Sequence, residues 1–254
     1  MVIAGTCLAE GRRAVFQVEE VLKGDVPSSR VVIAYRMQNW ERNPGEPKIE
    51  FRIGERCLLV LRPEEPADGR PVDEPYFLLA GGPDGKVEVP AEGSEVLLEA
   101  SRRMVRIQSL PNQSEVWDEH RKLLVDRNPL LVEAGFQEVI KFRLGTQDML
   151  PVLSAFLQDP RDAFRISSLQ VLAQFLESCR RREASPPIAS EITREVLSVA
   201  RGDASPEVRA QAIRTLRAAG RADLREVLQQ VADKDPSQLV RYEARRTLLE
   251  SNHH

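Results

Sequence analysis

The side chains best suited to binding another molecule are arginines in the C-terminal third of the chain. Four of them lie in two segments with helical periodicity: Arg214, Arg217, Arg245 and Arg246. A guanidinium group presents its N–H donors in a planar fork that fits carboxylate and phosphate oxygens. A cluster of this kind can accept an acidic peptide or phosphate groups. Because acidic and basic residues are nearly balanced in this part of the sequence, any basic patch must be local.

No combination of residues indicates catalysis. The sequence lacks the patterns H-E-x-x-H, C-x-x-C, G-x-S-x-G and G-x-G-x-x-G. The glycine-rich segment 81–86 departs from a phosphate loop, because Ala80 replaces its first glycine and Val87 its metal-binding Ser or Thr. His120 stands alone on a predicted helix, where a histidine is more often a surface or half-buried residue than a general base. We therefore predict no catalytic residue, no metal site and no cofactor, and consider an enzyme the less favoured interpretation.

The three cysteines cannot all pair, and they lack the spacing of a metal site. Cys7 and Cys57 lie in strand-like runs that could face one another in a small barrel. The sequence leaves two alternatives for them, a disulfide or two buried thiols. Cys179 lies near a predicted helix end, where we expect an ordinary thiol rather than a nucleophile.

The composition, 42% hydrophobic and 30% charged, is typical of a globular protein. No apolar run approaches the roughly 20 residues needed to span a bilayer. The net charge of −3 and the pI near 5.8 argue against a dedicated nucleic-acid binder, for which a pI above about 9 is usual. Nucleic acid and membrane are therefore not the expected partners.

The two ends of the sequence bear on where the protein acts. Val2 begins a strand-like run directly after Met1, and the chain stops at His253 and His254, which are consistent with a tag remnant. A truncated chain is therefore one interpretation. It leaves two localisations open, cytoplasmic or exported with the signal peptide removed.

Residues 1–90 predict a small all-β domain. Short strand-like runs alternate with turn residues at 2–6, 14–22, 30–35, 57–61, 75–80 and 86–89. We interpret the last two as a hairpin, since glycine and aspartate lie between them. Five or six strands in ninety residues imply a barrel or sandwich. Trp40, in a polar loop, either belongs to a binding surface or folds over the barrel end.

Two phrases in this segment carry a family resemblance. V-L-K-G at 21–24 and F-R-I-G-E-R-C-L-L-V-L at 51–61 resemble bacterial domains related to the netrin and tissue-inhibitor-of-metalloproteinase module, an OB-like barrel. The resemblance covers residues 2–89. Eukaryotic members of that family use a cysteine near the mature N-terminus as part of an inhibitory wedge. Cys7 lies inside a strand and has no second cysteine nearby, so protease inhibition is not carried over to this chain.

From residue 92 the apolar residues follow a helical period. The helices expected in 91–145 share no pattern, and we interpret this segment as a bridge that caps the repeats. From 146 the helices form pairs: 147–158 with 162–179, 191–201 with 207–219, and 222–232 with 238–250. Four residues of one unit recur 32 positions later: Val208, Arg209, Ala212 and Leu216 match Val240, Arg241, Ala244 and Leu248. A more divergent copy lies 44 positions upstream, at Phe164, Arg165, Ser168 and Leu172.

The repeated pattern D-x-S-P-x-V-R-x-x-A-x-x-x-L resembles HEAT repeats, over residues 146–252. That resemblance implies an α-solenoid in which the repeated arginine pairs with an aspartate of the neighbouring unit. It therefore implies a structural ladder from Arg165, Arg209 and Arg241 to Asp203, Asp233 and Asp235. It also implies that the second helix of each pair lines the concave face, which would place Arg214, Arg217, Arg245 and Arg246 there.

The expected fold class is α+β in two domains, an OB-like β-barrel at 1–90 and an all-α, HEAT-like superhelix at 146–252. Solenoids present extended surfaces, so we expect a non-catalytic scaffold that binds a protein or peptide on its concave face. One alternative is a HEAT-like enzyme of the bilin-lyase or DNA-glycosylase type. Balanced charge and 5% aromatic residues speak against the glycosylase. The other alternative is an exported inhibitor or sensor module.

Overall fold

The computed structural model describes residues 1–10, 13–26, 28–35, 48–63, 76–80, 82–182, 187–220 and 224–250. The chain divides into two units, Met1–Ser109 and Leu110–His254. Within the described ranges, the first unit contains the strands and the helix Ser94–Gln108, and the second unit is helical. Trp40, the candidate binding residue of the N-terminal segment, lies outside the described residues.

Five strands of the first unit close into a small barrel. The strands are β1 (Val2–Ala9), β2 (Ala14–Lys23), β3 (Arg30–Ile33), β4 (Arg56–Pro63) and β5 (Tyr76–Leu79), and β6 (Lys86–Glu88) is added beside β4. β1, β2 and β3 are antiparallel neighbours, β3 runs parallel to β5, and β5 is antiparallel to β4. Antiparallel pairing of β4 with β1 closes the sheet, which confirms the predicted OB-like barrel.

Aromatic rings and a glycine shape the barrel interior. The ring of Phe51 meets Phe16 and Tyr35 edge to face, with centroids 4.9 Å apart in each pair. Gly5 lets β1 lie close to β2, since a Cβ at this position would come within 2.5 Å of the carbonyl oxygen of Gln17. A side chain at position 5 would therefore force the two strands apart.

The hairpin predicted at the end of the barrel is wrong. β5 and β6 both pair with β4, β5 at Leu61–Pro63 and β6 at Cys57–Leu59. A 3₁₀ turn, Gly82–Gly85, carries the chain from one position to the other. Gly85 lies close to the carbonyl oxygen of Ala80, which a Cβ would approach within 2.4 Å. The glycines therefore make a tight crossing along β4 rather than a two-stranded hairpin.

Cys7 and Cys57 are buried in the barrel core as free thiols. Of the two alternatives that the sequence leaves, the structure has the buried thiols and not the disulfide. Burial raises the pKa of Cys7 and raises the pKa of Cys57 to about 12. Burial also raises the pKa of Cys179, which is half-buried on a helix of the second unit. All three thiols are therefore protonated near neutral pH, the unreactive state of the sulfur.

Helix α1 (Ser94–Gln108) packs on the outward face of β1 and β4 through Leu98. Nε and Nη2 of Arg102 donate to the two carboxylate oxygens of Glu20 on β2, at 2.8 and 2.7 Å. These hydrogen bonds lower the pKa of Glu20. The first helix of the segment 91–145 thus belongs to the first unit.

The second unit consists of helices with short connections. They are α2 (Gln113–Leu123), α3 (Pro129–Phe142), α4 (Leu150–Phe156), α5 (Asp162–Arg181), α6 (Pro187–Gly202), α7 (Pro206–Ala219), α8 (Arg225–Lys234) and α9 (Gln238–Glu250). A 3₁₀ turn, Gln147–Met149, leads into α4. None of the helices in the described ranges is long and apolar enough to cross a bilayer.

α2 and α3 cross closely at Gly135. A Cβ on Gly135 would lie 2.9 Å from Cβ of Leu123 and 3.1 Å from the carbonyl oxygen of His120. The side chain of His120 is 3% exposed, and burial lowers its pKa. His120 is therefore a neutral core residue near pH 7. It is more deeply buried than the surface or half-buried position that the sequence predicts.

One apolar core runs through the helix pairs from α3 to α9. Rings of Phe136, Phe156 and Phe164 pack together and join α3, α4 and α5, with centroids 5.0 to 6.0 Å apart. Ser168 occupies the place of the small alanine in the divergent copy, and its hydroxyl donates to the carbonyl oxygen of Leu153 at 2.7 Å. That hydrogen bond satisfies the hydroxyl, so α5 packs against α4 despite the polar substitution.

Candidate protein-interaction surface

The second helices of the three pairs, α5, α7 and α9, form a row in which α7 lies between the other two. The limits of α7 follow from its sequence. Ser205 accepts a hydrogen bond from the amide of Val208, Pro206 occupies the first turn, and Gly220 ends the helix at φ 63°. Val208, together with Ala212 and Leu216 at the following turns, is buried. This central helix is thereby packed on nearly every side.

Arg209 joins the second helix pair to the third. Its Nε and Nη2 each lie 3.0 Å from a carboxylate oxygen of Asp235, and Nη1 donates to the carbonyl oxygen of Asp203 at 2.8 Å. Both side chains of the ion pair are about nine-tenths buried. Burial raises the pKa of Asp235, but hydrogen bonds from Arg209 and from the Ser237 amide outweigh it and leave the pKa below its ordinary value. The pair is therefore ionised and fully hydrogen-bonded in the folded protein.

Arg165 occupies the same position one pair earlier. Its Nη2 donates to Oδ1 of Asp203 at 3.1 Å, its Nε lies 2.9 Å from Oδ2, and Nη1 donates to the carbonyl oxygen of Asp159 at 2.7 Å. Arg165 and Arg209 thus each bind the carbonyl six residues earlier and the aspartate that lies three residues before the next second helix. We call these two ion pairs the Arg–Asp rungs.

The other proposed members of the ladder have different partners. Arg241 donates to the carbonyl oxygens of Asp235 and Pro236, at 2.6 and 3.0 Å, which are its acceptors within the described ranges. Asp233 is exposed on α8 and accepts a hydrogen bond from Gln229 of the same helix at 3.0 Å. Asp233 is therefore placed outside the rungs, while Asp235 serves Arg209 through its carboxylate and Arg241 through its backbone.

Three of the four candidate binding arginines lie together, and each has an intramolecular partner. Arg214 donates to Oε1 of Glu243 at 2.7 Å, and Arg217 lies 3.2 Å from Oε2 of Glu250. Arg246 donates to Oε1 of Glu250 at 3.0 Å. The pairs of Arg214 and Arg217 connect α7 to α9, and the pair of Arg246 lies within α9, so two of the three arginines hold the surface together as well as displaying charge.

The remaining candidate, Arg245, is not part of this group. Its Nη2 donates to the carbonyl oxygen of Ala232 at 3.3 Å, near the end of α8. Sequence reasoning missed the two glutamates, Glu243 and Glu250, that accept from the other three arginines. The 32-residue offset makes Glu243 equivalent to Gln211, which lies one turn before Arg214, but it matches Glu250 to Ala218 and gives no signal for that glutamate.

We define the second-helix face as Gln170 on α5, Arg214 and Arg217 on α7, and Arg246 and Glu250 on α9. Gln170 is included because it lies 44 residues before Arg214, at the equivalent repeat position. Side chains of Arg214, Arg246 and Glu250 are 41%, 50% and 48% exposed. The face therefore offers accessible groups of both charges on a row of packed helices.

The first helices carry a separate cleft that the sequence did not indicate. A volume of 750 Å³ lies between the 3₁₀ turn with α4 and helix α6, and three carboxylates line it: Asp148, Glu191 and Glu195. Ser154 donates to Oε2 of Glu195 at 2.6 Å, which fixes one of them. The neighbouring Thr146 hydroxyl lowers the pKa of Asp148. The cleft is thus acidic and lies away from the arginines of the second-helix face.

Comparison with known proteins supports the repeat assignment. A family model described as HEAT repeats matches residues 193–253, which extend from α6 through α9. No curated protein and no solved structure matches the chain. The C-terminal helical unit therefore contains HEAT repeats, a repeat type that suggests an interaction scaffold.

Proposed function

We propose that the helical unit is a non-catalytic scaffold that binds a protein or peptide partner on the second-helix face. HEAT repeats commonly mediate protein interactions. Stacked repeats provide a long surface because each unit adds a helix to the same row. The second helices α5, α7 and α9 form such a row here.

The pair of Arg–Asp rungs is the observation that carries this proposal. Arg165 with Asp203 and Arg209 with Asp235 lock successive second helices through buried, charge-assisted hydrogen bonds. A surface whose helices are fixed before binding loses little conformational entropy when a partner arrives. The rungs therefore support a rigid, preformed docking surface.

The partner that fits this face carries acidic side chains. Arg217 and Arg246 share Glu250 and are 30% and 50% exposed, so a carboxylate of the partner can reach both guanidinium groups from solvent. Such exposed contacts are screened by salt, and binding should weaken as ionic strength rises. Glu250 would turn toward solvent when the partner's carboxylate takes its place.

Arg217→Glu tests the proposal with limited risk to the fold, because its ion pair with Glu250 is partly exposed, at 30% and 48% of the two side chains. Arg214 is less suitable, since its partner Glu243 has a side chain only 5% exposed. The matched control is Arg194→Glu, an exposed arginine of the first helix α6. We expect affinity capture to recover a partner about tenfold less well with Arg217→Glu and equally well with the control. Equal recovery with both variants would contradict the proposed surface.

For the barrel, we retain as a proposal the relationship to the netrin-type module. The closed five-stranded topology supports it.

A further inference from the structure

Helix α9 carries an exposed apolar stripe on one side. Leu239, Tyr242 and Leu249 are 39%, 59% and 66% exposed, and Arg246 completes the stripe. Steps of three, four and three residues separate them, the spacing of residues that form the seam between two paired helices. Exposed aromatic and leucine side chains on one helix stripe are typical of an interface.

The repeat register shows that this stripe occupies a packing position. Moving back 32 residues, Tyr242, Arg246 and Leu249 correspond to Ala210, Arg214 and Arg217 of α7. On α7 that side is turned to the next second helix, since Ala210 is 1% exposed and both arginines bind glutamates of α9. The equivalent side of α9 is open to solvent in the described part of the chain.

We propose that a second copy of this chain covers the stripe, through antiparallel pairing of α9 with its symmetry mate. This inference goes beyond the proposed function, because it concerns a different partner and a contact centred on Leu239, Tyr242 and Leu249, although it shares Arg246 and Glu250 with the second-helix face. The stripe is symmetric about Ala244: Leu239 and Leu249 each lie five residues from it, and Tyr242 and Arg246 each lie two. A two-fold axis at that level places leucine beside leucine and arginine beside tyrosine.

The resulting contacts are complementary in chemistry. Leu239 of one copy packs on Leu249 of the other, and the guanidinium of Arg246 covers the ring of Tyr242 in a cation–π contact. One residue further toward each end of the helix, Gln238 of one copy faces Glu250 of the other, and the Gln238 amide can donate to the Glu250 carboxylate. An isologous contact of this kind closes at two copies.

Head-to-tail stacking of copies fits less well. Such stacking would bring Arg241 of one copy to the first aspartate of the repeat pattern, Asp159, in the next. Asp159 already accepts hydrogen bonds from Nε and Nη2 of Arg161, both at 2.8 Å. Its carboxylate is therefore occupied within its own turn. The two-fold arrangement breaks one exposed ion pair, that of Arg246 with Glu250, and leaves Glu250 paired with Arg217.

Four side chains on one helix make a small interface, so the dimer is expected to be weak. We predict that the chain is largely dimeric at about 200 μM and dissociates on dilution, as measured by sedimentation equilibrium. Leu249→Glu should raise the dissociation constant by at least about tenfold, because each copy then places a carboxylate in an apolar contact. The matched control is Val125→Glu, since Val125 is 67% exposed, close to the 66% of Leu249, and lies outside the stripe. It should dimerise like the wild type.

Disulfide trapping tests the register. In a Cys179→Ser background, a mixture of Leu239→Cys and Leu249→Cys chains should form a covalent heterodimer on mild oxidation, whereas Leu239→Cys alone should not cross-link. A wild-type chain that stays monomeric at about 200 μM would overturn the proposal. So would equal loss of dimer in Val125→Glu and Leu249→Glu, or cross-linking of Leu239→Cys as complete as in the mixture. Partner capture with Arg217→Glu reports on the second-helix face separately, so failure of one proposal leaves the other distinguishable.

Discussion

At the scale of single residues, the cysteines show how burial decides chemical behaviour. Cys7 and Cys57 share the barrel core, where the high pKa of each thiol keeps the sulfur protonated and shielded. A protonated buried thiol reacts slowly, because the thiolate is the reactive form.

The free thiols give a direct prediction. Protein purified without reductant and then unfolded should react with a thiol reagent at all three cysteines, since none is in a disulfide. In the folded state, Cys57 should react only as fast as the barrel opens. Recovery of one reactive thiol in the unfolded protein would show instead that Cys7 and Cys57 are linked.

At the scale of helices, the Arg–Asp rungs determine how one pair follows the next. Arg209 is 8% exposed and binds both the carboxylate of Asp235 and the carbonyl oxygen of Asp203. Exposed pairs such as Arg181 with Glu177 on α5 contribute far less, because water solvates both groups already. The burial of the rung therefore makes its loss costly.

We predict that Arg209→Ala lowers the free energy of unfolding by about 3 kcal/mol, since Asp235 is left buried without its counter-charge. The matched control Arg181→Ala should cost less than about a third of that. Urea denaturation followed by circular dichroism measures both free energies. Equal losses from Arg209→Ala and Arg181→Ala would mean that the buried rung stabilises the protein no more than an exposed ion pair.

The same rung gives a dependence on pH. Because the folded-state pKa of Asp235 is lowered, the stabilisation from this rung is present above the ordinary value of 3.8 and is lost as pH falls below it.

The sequence predicts the helix pairs well because each carries its own limits. Pro206 near the start, Gly220 at the end and apolar residues three and four apart indicate α7 without knowledge of its neighbours. The hairpin predicted at 75–89 is wrong for the opposite reason. Its glycines indicate a tight turn, but which strand β6 joins depends on β4, which is distant in the sequence.

The candidate site was predictable only in part. Repeat offsets identify Arg165 and Arg209 as equivalent residues, and the 32-residue offset also matches Asp203 with Asp235, which singles out Asp235 over Asp233. The offsets do not reveal that Glu250 binds two arginines at once. Side-chain contacts between helices depend on packing angles, which a periodic pattern does not specify.

At the scale of the whole molecule, the chain contains two units with different architectures, and the second unit contains repeats of a known type. The barrel is closed by β1 and β4, and the helical unit contains HEAT repeats. The central claim concerns the helical unit, whose second helices we propose to form the binding surface. Testing that claim requires locating the partner's contact residues on the helices, since a binding constant alone does not show which surface is used.

Site-specific photo-cross-linking tests this claim most directly. A photoreactive amino acid at Gln170 or Arg217 lies on the second-helix face, and the same group at Arg194 or Arg201 lies exposed on the first helix α6. The proposal predicts covalent adducts with one partner from the first two positions and none from the controls. Adducts that form only from positions 194 and 201 would contradict the account and place the binding surface on the first helices.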